Sequence, residues 1–148
     1  MQNLIKLIAS FFYLGYIRFI PGTVASCAAL GLYFLFRGDF YLYTLLLIIV
    51  NALGFLVAGR AEVAFAEEDS PKIVIDEVGG FLLAFWGLNL NLPLVITGFF
   101  IFRGLDMAKP YPADKLERLG GSCGVMGDDL IAGLYTNIVL QIVTRVFL

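Results

Sequence analysis

The 148-residue sequence contains no histidine and only two cysteines, Cys27 and Cys123. Without histidine there is no Ser-His-Asp triad, no imidazole metal ligand and no phosphohistidine intermediate. Two isolated cysteines make neither a disulfide framework nor a zinc site. Cys27 sits in an apolar run and is expected to pack. Cys123 lies in GGSCG, where no histidine is available to activate it as a nucleophile. Charge is scarce as well, at 15% of residues with a formal net charge of −2. That balance points to neither nucleic acid nor an acidic surface as partner. Internal repeats, low-complexity tracts and long linkers are also missing. Lys6 comes early and no small-residue cleavage site follows a clean apolar core, so the N-terminus reads as mature protein rather than a signal peptide.

What the sequence has is apolar surface. Its hydrophobic fraction is 60%, against about 45–50% for an ordinary soluble domain. A chain of this length makes one domain, 1–148, and so small a fold buries only a modest share of its surface. The bilayer is the expected solvent for the excess. The clearest span is FYLYTLLLIIVNALGFLVA, residues 40–58, near the ~20 residues that cross a hydrocarbon core. Residues 130–148 have the same length, with Arg145 placed to snorkel. Residues 24–36 are shorter and need flanking residues or a thinned bilayer to span. Residues 4–17, interrupted by Lys6, are expected to lie in the interface or cover the bundle.

Residues 78–102 allow two readings. One is a single long span; the other is a hairpin of two short helices turned at Asn89, Asn91 and Pro93. The hairpin unites the polar segments 18–23, 59–77 and 103–129 on one side. That side then carries Arg18, Arg60, Lys72, Arg103, Lys109, Lys115 and Arg118, against Arg37 and Arg145 opposite. The positive-inside bias makes the rich side cytoplasmic. The predicted fold is therefore an all-α integral membrane bundle of four to five membrane-embedded helices, with the short-helix hairpin at 78–102.

Three stretches join carboxylates to apolar runs: KIVIDEVGG with Asp76 and Glu77, FRGLDMAKPYP with Arg103, Asp106 and Lys109, and GGSCGVMGDDLIAG with Asp128 and Asp129. Ionisable groups at membrane depth are functional candidates. Helix-dipole capping explains one acidic residue per helix start, and spacing by three fits a ladder of surface ion pairs. Neither calls for two adjacent pairs. Five carboxylates brought together repel unless cations sit among them. Hard oxygen ligands alone suit Mg²⁺, with Mn²⁺ as a substitute, and Mg²⁺ commonly binds substrate phosphate. In RFIPGTVAS, residues 18–26, Pro21 and Gly22 break the chain and Thr23 is a good helix cap. Free N–H groups there, with Ser26 one turn on, would form an anion site beside the metal. Residues 59–72 read as a solvated helix and loop from which Glu62 and Asp69 could approach.

Taken together, PGTVAS at 21–26, IVIDEVGG at 73–80, FRGLDMAKPYP at 102–112 and GGSCGVMGDDLIAGLY at 120–135 resemble the phosphatidylglycerophosphatase A family, in its order and spacing, over nearly the whole chain. The family usually has Gly where this chain has Ala25, and a less reactive residue at Cys123. The resemblance implies a bacterial, multi-pass inner-membrane enzyme that hydrolyses phosphatidylglycerophosphate to phosphatidylglycerol and phosphate with Mg²⁺ at the cytoplasmic face.

On this reading Asp76, Glu77, Asp106, Asp128 and Asp129 hold one or two Mg²⁺ ions. Lys109 contacts phosphate, Arg103 contacts phosphate or pairs with Asp106, and Thr23 and Ser26 orient the phosphate. The phospholipid keeps its acyl tails in the bilayer. Two rivals use the same carboxylates. A Mg²⁺-dependent phospholipid-synthesising transferase would carry DGxxAR followed by GxxxDxxxD, which is lacking. A small cation transporter would carry its acids mid-span rather than at helix mouths.

Overall fold

The computed structural model describes residues 1–147. The expected all-helical class is found, with no strand among the described residues. In chain order come α1 (Gln2–Ala9), a 3-10 turn (Leu14–Tyr16), α2 (Pro21–Phe36), α3 (Phe40–Phe65), α4 (Ile75–Ala84), α5 (Leu92–Ala108), α6 (Ala113–Glu117) and α7 (Gly121–Phe147).

Local chemistry sets most of these boundaries. Pro21 opens α2 after Ile20 turns into the left-handed region, since proline needs no N–H partner in a first helical turn. Asp39 caps α3 by accepting from the N–H groups of Tyr41 and Leu42 at 2.9 and 3.1 Å. Residues 85–91 between α4 and α5 are not helical. Asn91 caps α5 by accepting from the Leu94 N–H at 3.2 Å, and Pro93 follows in the first turn. Residues 78–102 are thus two helices and not one long span.

Helix α4 is the centre of the bundle. Eight of its ten residues are buried, as expected of a helix that is apolar on every side. It packs most extensively on α7 and also against α2 and α3. Phe81 stacks on Phe85 at 4.8 Å and meets Phe102 of α5 edge-on at 5.4 Å. The broken link after α4 is sealed by side chains. Asn137 of α7 donates to the carbonyls of Ala84 and Trp86 at 3.1 and 2.9 Å. Tyr43 of α3 donates to that of Leu82 at 2.8 Å. Irregular backbone inside an apolar bundle persists only where protein groups satisfy it in this way. Helix α1 lies along α3 and covers the bundle.

Among the described residues, α3 alone is long and apolar enough to cross a membrane by itself. Helix α2 is apolar but shorter, and the hairpin helices have 10 and 17 residues. Length and composition together thus support one crossing helix. Leu45, Ile48, Leu56, Phe100 and Ile142 nevertheless leave large apolar side chains exposed on α3, α5 and α7.

Two local expectations need correction. Helix α7 begins at Gly121, not near 130, so Asp128 and Asp129 lie about two turns inside it and cannot cap it. The expected span 130–148 is the later part of this helix, and its last residue, 148, lies outside the described residues. Cys27, expected to pack, is exposed. It sits on the outward side of α2, whose buried residues are Gly22, Ala25, Ser26, Ala29 and Tyr33.

Candidate active site

The start of α4, the end of α5, the third turn of α7 and the 66–74 connection meet at one end of the bundle. Between them is a cleft of about 230 Å³ lined by Asp76, Glu77, Asp106, Lys109, Asp128 and Asp129, together with Asp69, Ser70, Pro71 and Ile73. The carboxylates form two groups. Asp76, Glu77 and Asp129 can bring one oxygen each within 4.8 Å of one another, and so can Asp106, Asp128 and Asp129. Asp129 belongs to both.

Glycine makes this convergence possible. A Cβ on Gly80 would lie 2.4 Å from the Asp129 carbonyl oxygen, and one on Gly133 would lie 2.2 Å from the Gly80 carbonyl oxygen. Any larger residue at either position would push α4 and α7 apart. The backbones touch one turn beyond Asp76, which holds that carboxylate against Asp129. A Cβ on Gly22, at the start of α2, would similarly collide with Glu77 Oε1 at 2.1 Å. The α2 N-terminus therefore abuts the same cluster.

The cluster carries more negative charge than its neighbours offset. Asp129 is 2% exposed and Asp76 and Asp128 are each 8% exposed. Asp76 Oδ1, Glu77 Oε2, Asp128 Oδ1 and Asp129 Oδ1 are buried with no hydrogen-bond partner among the described residues. Burial, then the neighbouring carboxylates, push Asp76 and Asp129 well above the ordinary range. Burial and the Asp106 charge raise Glu77 to about 7. Burial also raises Asp128, although Lys109 opposes the shift. Asp76 and Glu77 open α4, and Asp128 and Asp129 precede the apolar run of α7, so all four lie outside the apolar stretches. Buried carboxylate oxygens with nothing to bind, in two triads of hard donors, fit a divalent cation.

Two cations already have partners. Arg103 Nη1 binds Asp106 Oδ2 at 2.6 Å, the pairing that the three-residue spacing allowed. Lys109 closes α5 in the left-handed region. Its Nζ binds Asp128 Oδ2 at 2.9 Å and also pairs with Glu117 of α6. Burial works against the Lys109 charge, but these two carboxylates outweigh it and raise its pKa.

The anion site expected on α2 is placed differently from its sequence reading. Thr23 does not cap the helix, because Ile20 precedes the first turn and no side chain caps it. Ser26 is fully buried, and its Oγ donates to the Gly22 carbonyl at 3.0 Å. Neither lines the acidic cleft. Of the two acids of the 59–72 run expected to approach the site, Asp69 lines the cleft and Glu62 does not. Glu62 instead accepts from the Asp69 N–H at 2.9 Å. Cys123 is exposed and lies outside the cleft. Sequence reasoning missed Ser70, which is 2% exposed and donates to Glu67 Oε2 at 2.8 Å, and Glu117. Ser70 reaches the site through the fold of its loop and Glu117 through the packing of α6 on Lys109, and neither leaves a sequence pattern. The proline after Ser70 was the one available sign of an ordered loop.

The model of the phosphatidylglycerophosphatase A family matches residues 7–144. A Bacteroides thetaiotaomicron protein named as a candidate phosphatidylinositol-3-phosphatase is 33% identical, with 92% of this chain and 91% of that protein covered. The phosphatidylglycerophosphatase A of Escherichia coli is 32% identical, over 97% of this chain and 85% of its own. That of Haemophilus influenzae is 30% identical, over 95% and 88%. No solved structure matches the chain. With three carboxylate-bearing motifs folded into one cleft and a family match over most of its length, the chain belongs to the phosphatidylglycerophosphatase A family.

Proposed function

We propose that the acidic cleft hydrolyses the phosphomonoester of phosphatidylglycerophosphate, releasing phosphatidylglycerol and inorganic phosphate, with Mg²⁺ as cofactor and Mn²⁺ as a substitute. The observation that carries this reading is the pair of carboxylate triads sharing Asp129, with buried oxygens left unpartnered. Asp76, Glu77 and Asp129 would hold one ion, and Asp106, Asp128 and Asp129 a second. Mg²⁺ when bound supplies positive charge to the phosphoryl oxygens and acidifies water.

The remaining work falls to the chain. Lys109 sits at the cleft wall on Asp128 and turns toward phosphate oxygens when substrate enters. Arg103 holds Asp106 in place. The first turn of α2 backs Glu77 through Gly22, and Ser26 braces that turn. Water attacks phosphorus in line, the P–O ester bond breaks, and the departing glycerol oxygen takes a proton.

The substrate classes named for the relatives share a layout. Phosphatidylglycerophosphate and phosphatidylinositol 3-phosphate each carry a terminal phosphomonoester and, across a short polyol, a phosphodiester linked to diacylglycerol. The exposed apolar side chains on α3, α5 and α7 support a single membrane-embedded domain, 1–148, whose neighbours α2, α4, α5 and α7 lie in the bilayer beside α3. The excess of Lys and Arg at the cleft end supports a cytoplasmic-facing site in the bacterial inner membrane. Asp76→Asn and Asp129→Asn should each lower Mg²⁺-dependent phosphate release at least about a hundredfold with the helical circular dichroism unchanged. Near-wild-type turnover in both variants would sink the metal-site reading.

A further inference from the structure

A second cavity lies beside the acidic cleft, and its chemistry is opposite. It measures about 260 Å³ and is lined by Tyr16, Ile17, Arg18, Pro21, Pro71 and Lys72, with Gly15 at its back. Pro71 lines both cavities. The backbone from 69 to 73 is thus a shared wall. Asp69, Ser70 and Ile73 face the carboxylates, and Lys72 faces the other way. The opposite wall is shared as well, because Pro21 adjoins Gly22, which rests on Glu77.

The two cations in this cavity are not neutralised by a carboxylate. Neither Arg18 nor Lys72 joins an ion pair among the described residues. Lys72 Nζ rests over the rings of Tyr16 and Phe65 at 5.9 and 5.5 Å, which orients it without neutralising it. Gly15 lets the turn press onto this strap, since a Cβ there would meet the Lys72 carbonyl oxygen at 2.1 Å. Around the cavity, its lining residues Tyr16 and Ile17 and the adjoining Phe19 and Ile20 are exposed at 46, 41, 78 and 66%. This is an aromatic and aliphatic rim of the kind that sits at a membrane–water interface.

We propose that Arg18 and Lys72 form an anion subsite for the phosphodiester of the lipid substrate, next to the cleft that takes its phosphomonoester. The inference rests on the lipid phosphatase reading above. A substrate with both phosphates would then bridge the shared 69–73 wall. Its terminal phosphate lies among the carboxylates, its phosphodiester on Arg18 and Lys72, and its acyl chains leave past the apolar rim. Opposite charge on the two sides of one wall fixes which phosphate enters which cavity. The acidic cleft repels an anion that brings no cation, whereas the basic cavity holds a monoanionic diester directly.

The test uses full-length protein in neutral detergent micelles with saturating Mg²⁺, comparing wild type with Arg18→Gln, Lys72→Gln and the double variant. Three quantities are measured: kcat and KM on phosphatidylglycerophosphate, inhibition by phosphatidylglycerol, and inhibition by inorganic phosphate. Phosphatidylglycerol carries only the phosphodiester, and inorganic phosphate, the product of the monoester, reads the Mg²⁺-loaded acidic cleft. The double variant should raise KM and the phosphatidylglycerol inhibition constant about tenfold, the scale of one or two charge-assisted contacts. Its kcat and its inhibition by inorganic phosphate should stay within about twofold of wild type. Equal weakening of both inhibitors would mean that the cations act only through the general surface field and overturns the subsite. So would unchanged constants, or a wild type that phosphatidylglycerol does not inhibit. A wild type that releases no phosphate from phosphatidylglycerophosphate would instead overturn the underlying function.

Discussion

Stripping divalent cations should make this protein's stability depend on pH in a direction opposite to that of ordinary ion-paired carboxylates. Glu77 is raised from its ordinary 4.5 to about 7 by burial and by Asp106. The folded chain therefore holds this proton more tightly than the unfolded chain does. Its contribution to stability is complete below about pH 4.5 and is lost as the pH rises through about 7. At about 1.36 kcal/mol per pH unit, the loss from this one group is about 3 kcal/mol. Asp76 and Asp129 shift in the same direction and add to it. For a chain of this size, each kcal/mol moves the melting temperature by roughly 2–4 °C. Protein treated with a chelator should thus melt roughly 6–12 °C lower at pH 8 than at pH 5. Millimolar Mg²⁺ should restore most of the difference at pH 8 and do less at pH 5, where Glu77 is protonated and binds metal poorly. Differential scanning fluorimetry in a neutral detergent reads this directly, and Glu77→Gln should flatten part of the slope. The reasoning fails if metal-free stability is level or rises between pH 5 and 8. It also fails if Mg²⁺ stabilises equally at both.

Two substitutions away from the carboxylates probe the frame that holds them. Gly80→Ala puts a Cβ 2.4 Å from the Asp129 carbonyl, so it should destabilise by about 1–3 kcal/mol and weaken Mg²⁺ binding by isothermal titration. Gly31→Ala, which meets nothing within 4 Å, is the control and should do neither. Asn137→Leu removes the bonds to the end of α4 and to the link after it and should cost about 1–2 kcal/mol of thermal stability. Faster hydrogen exchange should then appear at residues 84–88.

The carboxylate set could be read directly because charge beside apolar sequence is conspicuous, and because the absence of histidine leaves few other ligands. The hairpin turn could be read from Asn91 and Pro93, whose capping and donor-less chemistry is local. What escaped depends on packing. GGSCGVMG has the composition of a loop, yet it is the first two turns of α7. A Cβ on Gly124 would meet the Glu117 carbonyl at 2.8 Å and one on Gly127 would meet Leu116 Cβ at 3.1 Å, so these glycines serve close helix contact rather than a bend. Thr23 looked like a cap because Pro21 and Gly22 looked like a break, whereas proline here starts the helix. The Ser26 hydroxyl was spoken for by the carbonyl one turn back, a bond no spacing rule excludes. Arg18 and Lys72 read only as two of many charges on one side. That they share a cavity follows from the 3-10 turn folding against the 69–73 strap.

The most direct test of the account is phosphate release from phosphatidylglycerophosphate and from phosphatidic acid by the purified chain, with Mg²⁺ and after chelation. The account predicts release from phosphatidylglycerophosphate that needs Mg²⁺ or Mn²⁺ and exceeds release from phosphatidic acid, which has no phosphodiester. Undiminished release after chelation, or a preference for phosphatidic acid, would contradict it.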